Sequence, residues 1–150
     1  MIQRIQSVYL LLCGLCPLLT FAVPFARASQ GDAAAYFYSC HAEGLPATFH
    51  YVAWDTAAAA LLVLALSLWA IFSYKRRKRQ VMLARIAAAV DALWLYFAAV
   101  HVAQYTIKSG ADAIPYWGAL FPVLSVVFAV LAWRAVKRDE ELVRAADRIR

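Results

Sequence analysis

Glycine is scarce in this chain of 150 residues. Only Gly14, Gly31, Gly44, Gly110 and Gly118 occur. None builds a phosphate-cradling loop, and neither a Gly-x-Ser-x-Gly elbow nor a His-Glu-x-x-His pair is present. The commonest signatures of nucleotide binding, serine hydrolysis and zinc proteolysis are therefore missing. Charge is scarce as well, at 16% of residues against about 25% in an ordinary soluble domain, and it is clustered. There is no internal repeat, and an odd count of three cysteines leaves one thiol unpaired.

Apolar residues are abundant. They make up 65% of the chain, well above the roughly 45–50% of a soluble domain. They gather in four long runs, near residues 5–25, 56–74, 82–107 and 116–133. About 20 apolar residues at 1.5 Å rise cross a hydrocarbon core of about 30 Å, so each run has the length of a membrane span. Little chain is left over for a soluble domain. The expected organisation is a single membrane domain over 1–150, with an outer loop at 26–55 and a tail at 134–150.

The charges set the threading. Lys75, Arg76, Arg77, Lys78 and Arg79 sit between the second and third runs, and Arg134, Lys137 and Arg138 follow the fourth. Of the fifteen Lys and Arg, all but Arg27 and Lys108 fall on one predicted side. That bias marks the cytoplasmic face and places both termini inside. It also accounts for the net charge of +6 without nucleic acid, which is not an expected partner. The basic run can attract anionic lipid, at about 1 kcal/mol per basic residue, or an acidic protein. A competing reading makes the first run a cleaved signal peptide, with Arg4 as its basic start and Ala26-Arg27-Ala28 as its cleavage site. The apolar stretch exceeds the 7–15 residues typical of such a segment, so a retained span is the expectation. Tyr51, Trp54, Tyr105, Tyr116 and Trp117 fall near the outer interface, with Tyr74 and Trp133 near the inner one, where such rings prefer to lie.

The fold class expected is all-α: a four-transmembrane-helix antiparallel bundle with a cytoplasmic C-terminal helical extension. Short connections imply up-down neighbours, with the first and fourth spans in contact. The outer loop carries a turn-prone Ser29-Gln30-Gly31-Asp32, two aromatic segments and a second turn at Glu43-Gly44-Leu45-Pro46. So many aromatics imply order there, as a hairpin on the membrane or an irregular loop over the bundle. The tail should continue the fourth helix, supported by the Glu140–Arg144 spacing. Its face of Leu142, Ala146 and Ile149 can dock on the membrane, on a partner or on the chain's own N-terminus.

Several residues can carry chemistry. Asp91 lies inside the third run, where a lone carboxylate costs about 2.5–3.5 kcal/mol unless paired, protonated or wetted. It reads either as a proton or cation site or as an interhelical hydrogen bond, with Arg85 within reach. His101 and Gln104 share one face further out, and His50 and Asp55 flank the start of the second span. These four can converge into a polar cluster. Their spacing matches no metal motif, so a hydrogen-bond cluster is expected, with no metal and no cofactor. Cys13 and Cys16 form a CxxC within the first span and Cys40 lies outside. A membrane thiol enzyme needs its pair near the outer surface, so these read as buried apolar thiols, and Cys16-Pro17 as a kink.

Several stretches carry a resemblance. Met1-Ile2-Gln3-Arg4-Ile5-Gln6-Ser7-Val8-Tyr9-Leu10, the central Tyr74-Lys75-Arg76-Arg77-Lys78-Arg79-Gln80, Leu120-Phe121-Pro122 and the tail with Asp139-Glu140-Glu141-Leu142-Val143-Arg144 and Ala146-Asp147-Arg148 resemble the family described as domain of unknown function 4293. The resemblance covers essentially the whole chain and implies a four-span protein of the bacterial inner membrane, in Bacteroidota. It implies no activity and assigns no site residue. The expectation is a non-catalytic accessory or scaffold subunit of a membrane complex, bound to lipid and to a protein partner or further copies of itself. The alternatives are a small ion-coupled transporter using Asp91 and a quinone- or thiol-linked redox protein.

Overall fold

Pro17 has no amide hydrogen, so a helix cannot run through it with its bonds intact. In the computed structural model, which describes residues 2–30, 33–45, 51, 53–73 and 76–147, helix α1 (Ile2–Leu15) stops just short of this proline. A 3-10 turn at Pro17–Phe21 follows. The kink expected at Cys16-Pro17 is thus a break in the helix: within the apolar run of 5–25, α1 gives way to a tighter turn and then to the approach to a strand. The other helices are α2 (Trp54–Phe72), α3 (Arg77–Ser109) and α4 (Leu120–Asp147), the last entered through a 3-10 turn at Trp117–Ala119. As expected, α4 carries the fourth apolar run into the tail without a break. Among the described residues, three stretches are long and apolar enough to cross a membrane: Trp54–Phe72, Lys78–Ser109 and Trp117–Asp139. Ile5–Phe21 is a shorter apolar stretch.

Each helix packs on its two neighbours in the ring α1, α2, α3, α4 and back to α1. The buried positions explain why. They alternate in steps of three and four: Gln6, Leu10, Cys13, Pro17 and Thr20 on α1 and its turn, and Pro122, Ser125, Ala129, Ala132, Val136 and Asp139 on α4. The same steps place Thr56, Ala60, Val63, Ser67 and Ala70 on α2, and Ala84, Ala87, Asp91, Trp94 and Ala98 on α3. That spacing holds one side of a helix against its neighbours. The residues on it are mostly small, so backbones approach closely. At Gly14 helix α1 comes close to α2: a Cβ there would lie 3.0 Å from Ser67 Cβ. At the basic end, Gln6 Nε2 donates to Asp139 Oδ2 at 2.6 Å and to the Ala135 carbonyl at 3.3 Å. The start of the tail therefore docks on the chain's own first helix.

The opposite end differs from the all-α expectation. A four-stranded antiparallel sheet forms there, in the order β3 (Ala42–Glu43), β2 (Ala33–Phe37), β1 (Ala26–Gln30), β4 (Asp112–Pro115). β1 and β2 make a hairpin in which Ala28 faces Ala35, while β4 joins β1 from the short connection between α3 and α4. Ala26, Ala28, Ala35 and Phe37 are buried and share one cluster with Trp94, Ala98 and Tyr105 of α3. Alternate residues point the other way, and there the Arg27 guanidinium lies 5.8 Å from the centre of the Tyr36 ring. Three buried hydroxyl residues fasten this cap to the helices. Thr20 Oγ1 and Ser39 Oγ are hydrogen-bonded, and Thr56 Oγ1 donates to the Ser39 carbonyl.

Gly44 and Gly110 both adopt left-handed backbone, with φ of 75° and 69°. A Cβ at Gly44 would also collide with the Ala34 carbonyl oxygen, whereas at Gly110 it would meet nothing within 4 Å among the described residues. Gly110→Ala should cost only the backbone penalty, about 1–2 kcal/mol. Gly44→Ala should cost about 1–3 kcal/mol more. Thermal unfolding of the two variants in detergent measures the difference, and equal losses would contradict the packing of β2 against Gly44.

Candidate functional site

Asp91 is fully buried at the centre of the helix ring. Its Oδ2 is hydrogen-bonded to Ser125 Oγ of α4, and Ser125 Oγ also lies 2.6 Å from the carbonyl oxygen of Cys13 on α1. Ser67 of α2 faces Cys13 from the remaining side. Four helices thus contribute one polar or thiol residue each, and all four are fully or almost fully buried. Among the described residues, Asp91 Oδ1 and Ser67 Oγ have no hydrogen-bond partner. The expected help from Arg85 does not come: its guanidinium sits 4.8 Å from the centre of the Trp133 ring.

A second polar group lies under the sheet. His101 Nε2 is 2.8 Å from both carboxylate oxygens of Asp55. A carboxylate only accepts, so this nitrogen carries the hydrogen. Asp55 sits in the first turn of α2, where the helix end favours a negative charge, and its Oδ1 also accepts the Thr56 amide at 2.8 Å. Tyr51 closes the group with its ring edge-on to His101, the centroids 5.5 Å apart, and its hydroxyl donates to the Tyr38 carbonyl at 3.4 Å. Burial, and then the charge of Asp55, push the Tyr51 hydroxyl well above the ordinary tyrosine value.

The remaining candidates are placed as follows. Gln104 is exposed and takes no part in the described contacts of the His101 group. His50 and Lys75 lie outside the described residues. Arg76, Lys78 and Arg79 are exposed around the start of α3, and Arg77 opens that helix. Leu142 and Ala146 lie on the last turns of α4, while Ile149 falls outside the described residues. Cys13 and Cys16 are buried free thiols; Cys40 is half-buried, its Sγ 3.3 Å from His41 Nδ1. Among the described residues, no three His, Cys, Asp or Glu side chains gather to hold a metal. An apolar groove of about 580 Å³ runs between α3 and β4, lined by Trp94, Ala98, Val102 and Ile114 among others.

Ser125, Ser67, Gln6 and Tyr51 were not among the candidates. Ser125 had a signal: it is a lone hydroxyl in an apolar run, on the same three-and-four spacing as Pro122, Ala129 and Ala132. Gln6 shares that signal as a polar residue early in the first run, whereas Asp139 lies among charged neighbours and carried none.

These features define a class: a helical protein with, among the described residues, three helices long and apolar enough to cross a membrane, a small sheet at one end, and a buried carboxyl between the helices. The model of the family described as "Domain of unknown function (DUF4293)" matches residues 2–149, and the chain belongs to that family. None of the curated proteins matches it.

The Asp55–His101 pair is partly exposed, at 35% and 22% of the side chains, so solvent screens it. A double-mutant cycle of Asp55→Asn and His101→Ala should give a coupling of about 0.5–1 kcal/mol. Zero coupling would remove the pair as an anchor of α2 on α3.

The raised Tyr51 also has a pH consequence. The fold holds its proton more tightly than the unfolded chain does. Its contribution is therefore complete below the unfolded value of about 10 and is lost as pH rises beyond it. Tyr51→Phe should flatten the alkaline fall in thermal midpoint relative to wild type, and an unchanged alkaline limb would contradict the burial of this hydroxyl.

Proposed function

We infer that this is a multi-pass protein of the bacterial inner membrane, a four-span antiparallel bundle with both termini in the cytoplasm. It serves as a non-catalytic accessory or scaffold subunit of a larger membrane complex. The observation that carries this reading is the shape of α4. The helix continues to Asp147, past Asp139 where its apolar stretch ends. Its last turns carry Glu140, Glu141, Arg144 and Asp147 in sequence, at the same end as exposed Arg76, Lys78 and Arg79. Positive charge at that end favours the cytoplasm, and a helical arm beside a basic collar suits an acidic partner and anionic lipid. Gln6 and Asp139 hold the base of the arm, which fixes its direction.

A second reading, an ion-coupled transporter, is favoured by one observation: Asp91 Oδ1 is buried without a partner among the described residues.

The test is purification of the tagged chain from its own membranes in mild detergent, alongside a chain truncated after Asp139. The subunit reading expects a stoichiometric protein partner that is lost on truncation. A chain that purifies alone, or a partner indifferent to the truncation, would overturn it.

A further inference from the structure

Pro17 supplies no amide hydrogen, so the carbonyl of Cys13, four residues earlier, loses its ordinary helical donor. The neighbouring Leu12 carbonyl still receives the Cys16 amide at 3.0 Å. A free carbonyl inside the ring is costly unless a donor reaches it. Ser125 Oγ does so, at 2.6 Å.

That contact fixes the hydrogens shared by Ser125 and Asp91. A serine hydroxyl carries one hydrogen. A carbonyl can only accept, so the Ser125 hydrogen is committed to Cys13. The second close contact of Ser125 Oγ is to Asp91 Oδ2, and a hydrogen must lie there too. Ser125 has none left to give. If it turned its hydrogen to Asp91 instead, its lone pairs would face the Cys13 carbonyl oxygen at 2.6 Å with nothing between them. Both contacts are hydrogen bonds in only one arrangement: Asp91 donates to Ser125, and Ser125 donates to Cys13.

We propose that the middle of the helix ring is a proton-binding site, in which Asp91 is held as the neutral acid by Ser125 and by the carbonyl that Pro17 frees on Cys13. The surroundings agree. Cys13 faces Asp91 from α1, Ser67 lies beside Cys13 on α2, and Ser125 faces it from α4. Arg85, the nearest cation along α3, is engaged with Trp133. A neutral acid needs no counter-ion, which removes the main cost of a carboxylate between apolar helices. The ligand of this site is a proton rather than a metal cation: the Ser125 hydroxyl hydrogen points at the carbonyl oxygen that a cation would need. The site does not depend on the subunit reading, and its test is separate from partner capture.

The experiment is infrared spectroscopy of the full-length protein in detergent at neutral pH, following the carbonyl stretch of a protonated carboxyl group. Wild type should show one such band, and Asp91→Asn should lose all of it. Because that variant removes the reporter, Ser125→Ala is measured beside it with Asp91 intact. There the band should persist and move to higher frequency, since its hydrogen-bond acceptor is gone. No protonated-carboxyl band in folded wild type, or a band that Ser125→Ala leaves unmoved, would overturn the proposal. Thermal midpoints in sodium chloride and choline chloride of equal ionic strength should coincide, and a sodium-specific rise would overturn it in favour of a cation site.

Discussion

Between closely packed apolar helices, no water stands ready to satisfy a polar atom, so each must find its partner within the protein. Pro17 creates the most demanding case by removing the amide that would close α1 onto the Cys13 carbonyl. Ser125 answers from α4 and is itself tied to Asp91 of α3. Three helices are thereby fixed in rotation and in height by one chain of bonds. The fourth helix, α2, is held by contact instead, where Gly14 lets Ser67 close up against α1. The same proline ends the helix and starts the tighter turn that delivers the chain to β1. The break in α1 and the stitching of the helix ring therefore have one cause.

The two ends are then built differently. At the basic end the bond from Gln6 to Asp139 joins the first helix to the last and starts the arm of α4 on a fixed course. At the other end the helices are covered by a sheet whose inward residues are largely alanine. Small side chains let the sheet settle directly on Trp94, Ala98 and Tyr105. The larger rings of Phe25 and Phe37 fill the remaining space, with Phe37 edge-on to both Tyr51 and Tyr105. The Asp55–His101 pair lies just beneath, joining the start of α2 to the C-terminal part of α3.

The helices were legible in the sequence because long apolar runs and clustered charge are strong signals. α2 begins at Trp54 and the tail helix runs on from α4, both close to expectation. Order in the outer loop, with a hairpin as one of two readings, was legible from its turns and aromatics; the four-stranded sheet was not, for physical reasons. Ala26-Arg27-Ala28-Ser29-Gln30 and Ala33-Ala34-Ala35 carry few of the β-branched and aromatic residues that mark strands. β4 hides in a connection of a few residues, and its partner β1 lies more than eighty positions earlier, so no local pattern announces the pairing. The interior sites were half legible. A carboxylate at Asp91 in an apolar run draws the eye, but its partner Ser125 is visible only once the three-and-four spacing of α4 is set against that of α3. The approach of His101 to Asp55 followed from their shared level near the outer end. Gln104, one turn beyond His101, faces outward, because α3 turns its buried side to Tyr105 at that height.

In the proposed threading the sheet and the basic collar lie on opposite sides of a membrane. Labelling of single cysteines with a membrane-impermeant maleimide tests that directly. Ser29→Cys on β1 and Arg79→Cys at the start of α3 would each be placed in a chain whose Cys13, Cys16 and Cys40 are replaced by serine or alanine. In intact cells opened only at their outer envelope, position 29 should label at once, and position 79 only after the inner membrane is broken. Labelling of both positions from the same side would contradict the account.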